Sequence, residues 1–385
     1  MQKIKMGMIG GGEGAFIGAI HRIAAAMDGQ IELVCGAFSS DPERALRSGK
    51  ALYLPEDRIY SDYQDMIRCE AQLSEQERMD FVTIVTPNHL HFSAAQAALK
   101  SGFHVMSDKP ATLNLAEALE LRELIQSTDL LYGLTHTYTG YPLVKEARQR
   151  IAANELGNVR KIVVEYPQGW LADLQENTEN KQAQWRLDPS KAGISCCMGD
   201  IGVHAANLAE YITGLKITEL CADLTSFVDG RILDDDGSVL MRFNNGARGV
   251  LMASQISVGE ENALRIRVYG EKGGLDWHQE EPNTLWLKWP DQPAQKLRTA
   301  AGYLGAMAGE NTRTPGGHPE GYLEAFANIY RNFAEQIQAR LEQRDPPMKS
   351  LDIPGINEAV RGMAFIEKVV EASDSDQKWL PLDDY

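Results

Sequence analysis

The chain has 385 residues, 43% of them apolar, and a formal net charge of −16. That length holds two domains or one unusually large one, with ample material for a core. An acidic surface repels phosphate backbones, so nucleic acid is excluded as an expected partner. No run approaches the ~18 consecutive apolar residues of a membrane span, and no signal-peptide shape is evident at the start. The five cysteines form no C-x-x-C pair, which fits reduced thiols and predicts a cytoplasmic protein.

The first third alternates short apolar runs with helical patterns. Lys3–Ile9 reads as a strand, followed by a glycine cluster and a helix over Ala19–Met27. Ile31–Phe38 reads as a second strand, and a helix starts within Asp41–Ser48 with Ser40 or Asp41 as N-cap. Strands are expected at Phe81–Val85, His104–Ser107 and Leu131–Leu134, and helices at His91–Lys100 and Leu115–Ser127. This alternation predicts βαβ units: an α/β Rossmann domain with a parallel sheet over residues 1–135.

Beyond Thr135 the pattern changes. A helix over Leu143–Asn154 stops at Gly157, and strands then dominate: Lys161–Tyr166, Ile217–Phe227, Ser238–Phe243, Ala247–Gln255, Leu264–Tyr269, Gly274–Gln279 and Thr284–Lys288. Asn244-Asn245-Gly246 and Gly270-Glu271-Lys272-Gly273 read as hairpin turns. Residues 136–385 are therefore expected to form an α+β domain with a large, mostly antiparallel open sheet. Helices return at Gly321–Glu342 and Ile356–Ala372, either of which could pack back on the first domain. The Asp/Pro-rich end reads as a surface tail.

Gly10-Gly11-Gly12-Glu13-Gly14 lies between the first strand and the first helix. Glycines there let the backbone approach a pyrophosphate, which the helix N-terminus then binds with free N–H groups. The G-x-G-x-x-G spacing is met by Gly10, Gly12 and Ala15, or by a longer loop reaching Gly18. Gly14 and Phe16 complete the candidate cofactor loop. At the end of the second strand an acidic residue would bind ribose hydroxyls. Here stand Phe38, Ser39 and Ser40, with Arg44 shortly after, a set that suits a 2′-phosphate. NAD or NADP is expected, with a lean to NADP.

Five motifs follow in order: the glycine loop, Thr86-Pro87-Asn88-His89-Leu90-His91, Asp108-Lys109-Pro110, Trp185-Arg186, and Gly199-Asp200-Ile201-Gly202-Val203-His204. Together they make the chain resemble the glucose–fructose oxidoreductase / inositol dehydrogenase / MocA family from Lys3 to about Gly274. The resemblance implies a Rossmann domain and an open sheet that commonly forms the oligomer interface, here of a homodimer or homotetramer. Three features depart from the family pattern. About three residues are inserted before Gly18 and His21. Asp108 replaces the usual Glu. His136-Thr137-Tyr138-Thr139-Gly140-Tyr141-Pro142 stands where an Arg or Asn is frequent. The acidic insert around Trp170–Lys181 is a further candidate for shaping the pocket.

Alcohol oxidation needs a base near neutrality, and histidine suits that task. Asp200 and His204 are four apart at the start of an apparent helix, which puts both on one face. The resemblance implies His204 as general base or acid, Lys109 as its hydroxyl-polarising partner and Asp200 as substrate anchor. It also implies cofactor contacts at Thr86, Pro87, Asn88, His91, Asp108, Lys109, Trp185 and Arg186; core packing is the alternative for Trp185, and capping of the helix it opens is the alternative for His91. His136, Tyr141 and His318 are candidate substrate contacts. Cys196, Cys197, Asp200 and His204 lack the ligand spacing of zinc sites, and no metal is expected. The expected activity is an NAD(P)-dependent dehydrogenase or reductase acting on a sugar, inositol or cyclic, possibly carboxylated, diol. Redox-neutral glycoside cleavage and a non-catalytic dinucleotide-binding regulator are the alternatives.

Overall fold

The computed structural model describes residues 3–176 and 181–385, and the chain divides into two compact units. The first comprises Met1–Thr135 and Phe326–Val360, the second His136–Ala325 and Arg361–Tyr385.

The first unit is built on five parallel strands: β1 (Ile4–Gly10), β2 (Ile31–Ala37), β3 (Phe81–Val85), β4 (His104–Ser107) and β5 (Tyr132–Leu134), in the order β2-β1-β3-β4-β5. All five residues of β3 are buried, as a strand covered on both faces requires. The helices are α1 (Phe16–Ala26), α2 (Pro42–Ala51), α3 (Tyr63–Glu70), α4 (His91–Lys100) and α5 (Leu115–Gln126). α5 is capped reciprocally: Asn114 accepts from the Glu117 N–H, and the Glu117 carboxylate accepts from the Leu113 N–H. α3 has no counterpart among the predicted elements, because only Met66, Ile67 and Glu70 of its eight residues are buried. From Phe326 onward the helix Tyr322–Leu341 belongs to this unit, where Phe333 meets Phe81 edge to face. The chain order reverses between β1 and β3, the place where open α/β sheets bind ligands.

The second unit carries nine strands. They are β6 (Val159–Pro167), β7 (Ile217–Thr225), β8 (Asp236–Phe243), β9 (Arg248–Ser254), β10 (Arg265–Gly270), β11 (Gly274–His278), β12 (Thr284–Lys288), β13 (Gln295–Arg298) and β14 (Leu380–Pro381). Their order is β13-β12-β11-β10-β6-β9-β8-β7-β14, and every neighbouring pair is antiparallel except β6 with β9. Both predicted hairpin turns are present: Gly246 with φ 89° between β8 and β9, and Gly270–Gly273 between β10 and β11. One face packs on α6 (Pro142–Ala152) and on the helix Val203–Thr213. Along β8 the inward Val239, Met241 and Phe243 alternate with the outward Ser238, Leu240 and Arg242.

The terminal segment is not a surface tail. Leu380 and Pro381 extend the sheet beside β7, Leu380 and Leu382 are buried, and the Arg242 guanidinium stacks on Trp379. The two leucines give the tail an apolar side, so it docks despite its aspartates. Among the described residues no helix is long and apolar enough to cross a membrane.

Candidate functional site

In the first unit the glycine loop leaves β1 at Gly10 with φ 83°, and a Cβ there would lie 2.8 Å from the Val85 carbonyl oxygen. Gly12 and Gly14 lie in the turn, Ala15 takes the N-cap position, and Phe16 opens α1 exposed to solvent. Of the two candidate spacings, the close approach falls at Gly18. A Cβ on it would come within 2.3 Å of the Gly11 Cα, so this glycine lets helix and loop pack. α1 has no side-chain cap and no acidic residue in its first turn. Its N–H groups and positive dipole end therefore remain available to an anion. Arg22 donates to the Gly11 carbonyl at 2.7 Å, and the Ser48 hydroxyl accepts from the Glu13 N–H at 3.0 Å, which fixes the loop on both sides.

At the end of β2, Phe38 turns inward, its ring filling the space above Gly36. Of the two capping candidates, Asp41 caps α2 by accepting from the Arg44 N–H at 3.0 Å. Ser39 accepts from the Asp41 N–H at 3.1 Å; Ser40 is exposed and Arg44 half-buried. After β3, Thr86 and Pro87 lead into a tight turn over Asn88–Leu90 in which Asn88 is buried.

His91 does not cap the helix it opens. Nδ1 meets the Pro110 carbonyl at 2.7 Å and Nε2 the Thr86 carbonyl at 2.8 Å. The ring thus ties the loop after β3 to the loop after β4, and neither nitrogen is left for a cofactor. Burial lowers its basicity, while the two carbonyls and the charge of Asp108 raise it. A neutral ring donates to only one carbonyl.

Asp108, expected at the cofactor, is engaged within its own unit. Oδ1 accepts from the Lys109 N–H and the Thr135 hydroxyl, each at 2.9 Å, and Oδ2 faces His21 Nε2 at 3.9 Å. Burial opposes its ionisation, yet the facing His21 imidazole and the Lys109 charge hold its carboxyl well below the usual range. His21 is itself fully buried. Its Nδ1 meets the Tyr330 hydroxyl at 2.7 Å, and that hydroxyl meets Thr83 at 3.1 Å. Lys109 stands half-buried on the loop leaving β4. His21 and Tyr330 carry no signal in sequence beyond an ordinary helix histidine and tyrosine.

In the second unit α7 (Lys181–Arg186) and α8 (Pro189–Ala192) precede the segment that carries Asp200 and His204. That segment is not one α-helix: Met198–Gly202 forms a π-helical turn that continues into α9 (Val203–Thr213). The half-buried Asp234 carboxylate caps its start, accepting from the Cys196 N–H at 2.9 Å, the Met198 N–H at 3.0 Å and the Ser195 hydroxyl at 3.0 Å. π-turns of this kind concentrate at functional sites.

The Asp200 carboxylate is held from two sides. Gln255 donates to Oδ2 at 2.9 Å, and Arg186 Nε stands 3.3 Å from Oδ1. The Arg186 guanidinium also stacks on the Trp185 ring at 4.3 Å, so this expected cofactor pair supports Asp200. Cys196 donates to Gln255 at 3.3 Å, and burial pushes the thiols of Cys196 and Cys197 well up, keeping them protonated. Asp234, the first of three consecutive aspartates, and Gln255, just past the end of β9, belong to none of the sequence motifs.

His204 is buried with its ring against two neighbours: His136, Nδ1 to Nδ1 at 3.3 Å, and Tyr138, edge to face at 4.9 Å. The Tyr138 hydroxyl bonds the Tyr166 hydroxyl, which donates to Asn262 at 2.7 Å. Tyr141, a candidate substrate contact, is instead a core residue. It is 2% exposed, lies parallel to Tyr138 and against Trp277, and its hydroxyl accepts from Gln279 at 3.3 Å. His318 lies on an exposed loop with Nδ1 on the Pro315 carbonyl at 3.2 Å, and turn geometry accounts for it. Of the Trp170–Lys181 insert, residues 177–180 lie outside the described residues. Before them, Leu171 is buried and its carbonyl accepts from Arg231 at 2.9 Å.

Residues 4–136 match the profile of an oxidoreductase family with an NAD-binding Rossmann fold, and residues 144–276 that of the GFO/IDH/MocA C-terminal domain. Over 380 residues the chain is 32% identical to the uncharacterized oxidoreductase YfiI of Bacillus subtilis, covering 98% of this chain and 96% of that protein. Among solved structures, an oxidoreductase from Sinorhizobium meliloti is similar with a TM-score of 0.88 and 44% identity, over 99% of this chain and 100% of the other. An inositol dehydrogenase homolog from Azotobacter vinelandii, complexed with NADH and myo-inositol, gives 0.91 and 33% identity over 99% and 98%.

Proposed function

This chain belongs to the GFO/IDH/MocA family of oxidoreductases, and from that premise we propose that it moves a hydride between a nicotinamide dinucleotide and a secondary alcohol or ketone. The substrate class is a sugar, an inositol or a cyclic diol, carboxylated ring diols included. One observation carries this reading. Lys109, Asp200 and His204 are all retained, and the latter two are held by buried partners, Gln255 and His136. Preorganised groups of this kind lower a barrier without reorganising during the reaction.

The glycine loop and the uncapped start of α1 suit a pyrophosphate. The Thr86-Pro87-Asn88 turn is assigned to the nicotinamide ribose. When bound, the dinucleotide takes up or returns the hydride. His204 takes the hydroxyl proton during oxidation and returns it during reduction, Lys109 favours negative charge on the reacting oxygen, and Asp200 accepts hydrogen bonds from neighbouring substrate hydroxyls. The Azotobacter homolog with NADH and myo-inositol supports a cyclic polyol. At the end of β2 the first carboxylate, Asp41, is committed to capping α2, and Ser39, Ser40 and Arg44 favour use of NADP.

The outward face of the nine-stranded sheet leaves Leu240, Tyr269 and Trp286 partly exposed. It is proposed as the contact between copies in a homodimer or homotetramer, which light scattering after size exclusion tests. The cytosol is the proposed location. The first experiment follows the absorbance of reduced nicotinamide with purified protein, NAD or NADP, and a panel of sugars, inositols and cyclic diols. Substrate-dependent reduction is expected. A flat trace from protein that binds dinucleotide would overturn the reading in favour of redox-neutral glycoside cleavage or a sensor.

A further inference from the structure

His136 and His204 meet nitrogen to nitrogen. Their Nδ1 atoms are 3.3 Å apart, the rings stand edge to face at 5.2 Å, and both side chains are buried. A neutral imidazole has one N–H and one lone pair, so such a contact has only two arrangements. If His136 donates, the His204 proton sits on Nε2, and that nitrogen cannot receive another. If His204 donates from Nδ1, its Nε2 presents a lone pair, the form a general base requires. The second arrangement also serves the reverse direction, because a doubly protonated His204 keeps donating from Nδ1 while Nε2–H faces the ketone.

We propose that His136 is a positioning residue that accepts a hydrogen bond from His204 Nδ1 and so holds His204 in the tautomer with Nε2 free for the substrate proton. A second imidazole thereby takes the orienting role that a carboxylate or carbonyl commonly plays for a working histidine. The inference rests on the assignment of His204 as the base. In oxidation the substrate O–H bond breaks and its proton joins His204 Nε2. The C–H bond breaks with its electron pair leaving for the nicotinamide, and the Nδ1–H bond to His136 persists throughout.

The surrounding groups do not compete for the proton. Tyr138 and Tyr166, packed on the pair from the His136–Tyr141 turn and from β6, are held protonated by burial, as is Tyr141 at the start of α6. Tyr322 lies beyond Tyr138. On α6, Lys145 donates to the Tyr211 hydroxyl and Glu146 pairs with Arg150. Asp200, on the turn before α9, is held by Gln255 and Arg186. On β10, Arg265 pairs with Asp276 and Arg267 with Glu165.

The test has two arms. The first needs no substrate: 15N shifts of the imidazoles in the resting protein, assigned with His136→Phe and His204→Gln. His204 is expected with its proton on Nδ1 and Nε2 unprotonated. A proton on Nε2 would overturn the proposal, whether or not the protein oxidises polyols. The second arm compares turnover. His136→Phe keeps a ring but no acceptor and should lower kcat about ten- to hundred-fold, with dinucleotide affinity unchanged and the acid limb of the kcat/KM profile moved to lower pH. His136→Asn places a carbonyl oxygen near the Nδ1 position and should recover most of that loss. Unchanged kcat and pH profile in His136→Phe, or a folded His136→Asn no better than His136→Phe, overturns the proposal. If His136→Phe does not fold, the wild-type shifts and His136→Asn decide.

Discussion

Gln255 faces two partners at once: Nε2 donates to Asp200 Oδ2 at 2.9 Å while Oε1 accepts from the Cys196 thiol at 3.3 Å. Because the buried thiol stays protonated, the amide has only one orientation in which both bonds form. Gln255→Leu removes the donor from a carboxylate, a loss of ~1.5–3 kcal/mol for a bond to a charged group. The expected outcome is a fall in kcat/KM of about ten- to hundred-fold carried mainly by KM, measured by steady-state kinetics. Unchanged KM would remove Asp200 from substrate binding.

Asp234 holds the π-turn from which Asp200 projects. Asp234→Ala strips acceptors from the Cys196 and Met198 N–H groups and the Ser195 hydroxyl. Unsatisfied buried donors cost ~1–3 kcal/mol, so the ΔG of unfolding obtained from urea titration should fall by a matching amount. Turnover should fall with it, because the turn loses its anchor. A variant as stable and active as wild type would make the cap incidental.

Gly18 packs against Gly11, and any side chain there displaces the loop. Gly18→Val should destabilise the protein by ~1–3 kcal/mol and weaken dinucleotide binding about ten-fold or more, read by quenching of tryptophan fluorescence. Binding at wild-type strength would place the dinucleotide elsewhere.

The Asp108 carboxyl is held below its ordinary value of 3.8. A depressed carboxylate contributes stability that is fully present above its unfolded value and is lost as pH falls through the folded one. Stability should therefore decline on acidification below about pH 4, and Asp108→Asn should flatten that part of the curve. The measurement is ΔG of unfolding against pH for both proteins. Parallel curves would show that Asp108 is not a source of the acid dependence.

Arg44 is the one cation in the set at the end of β2 proposed to favour a 2′-phosphate. Arg44→Ala should lower kcat/KM for NADP about ten-fold or more, the scale of a hydrogen bond to a charged group, and leave NAD nearly unaffected. Equal losses with both dinucleotides would reduce Arg44 to a structural role.

Much of the fold was legible. Phe81–Val85, His91–Lys100, His104–Ser107 and Thr284–Lys288 form the elements their periodicity predicts. An apolar run flanked by turn residues has few alternatives. The short α3 and the docked terminal strand escaped, one because its inward stripe is only Tyr63, Met66 and Ile67 within eight residues and the other because its charges outweighed two leucines. Around the candidate site the ordered motifs led to Lys109, Asp200 and His204. They did not lead to His21, Asp234 or Gln255, and they gave no sign that Tyr141 lies buried or that both ring nitrogens of His91 meet backbone carbonyls.

The sequence by itself determined the order of strands and helices, the glycine loop and the family motifs, because each depends on residues near one another in the chain. Only the tertiary structure decided that a π-turn carries Asp200, that Gln255 and Arg186 hold it, and that His136 lies on His204. Buried polar atoms take whichever partner the fold brings within bonding distance. Here those partners come from 14, 55 and 68 residues away along the chain, beyond the reach of any local pattern.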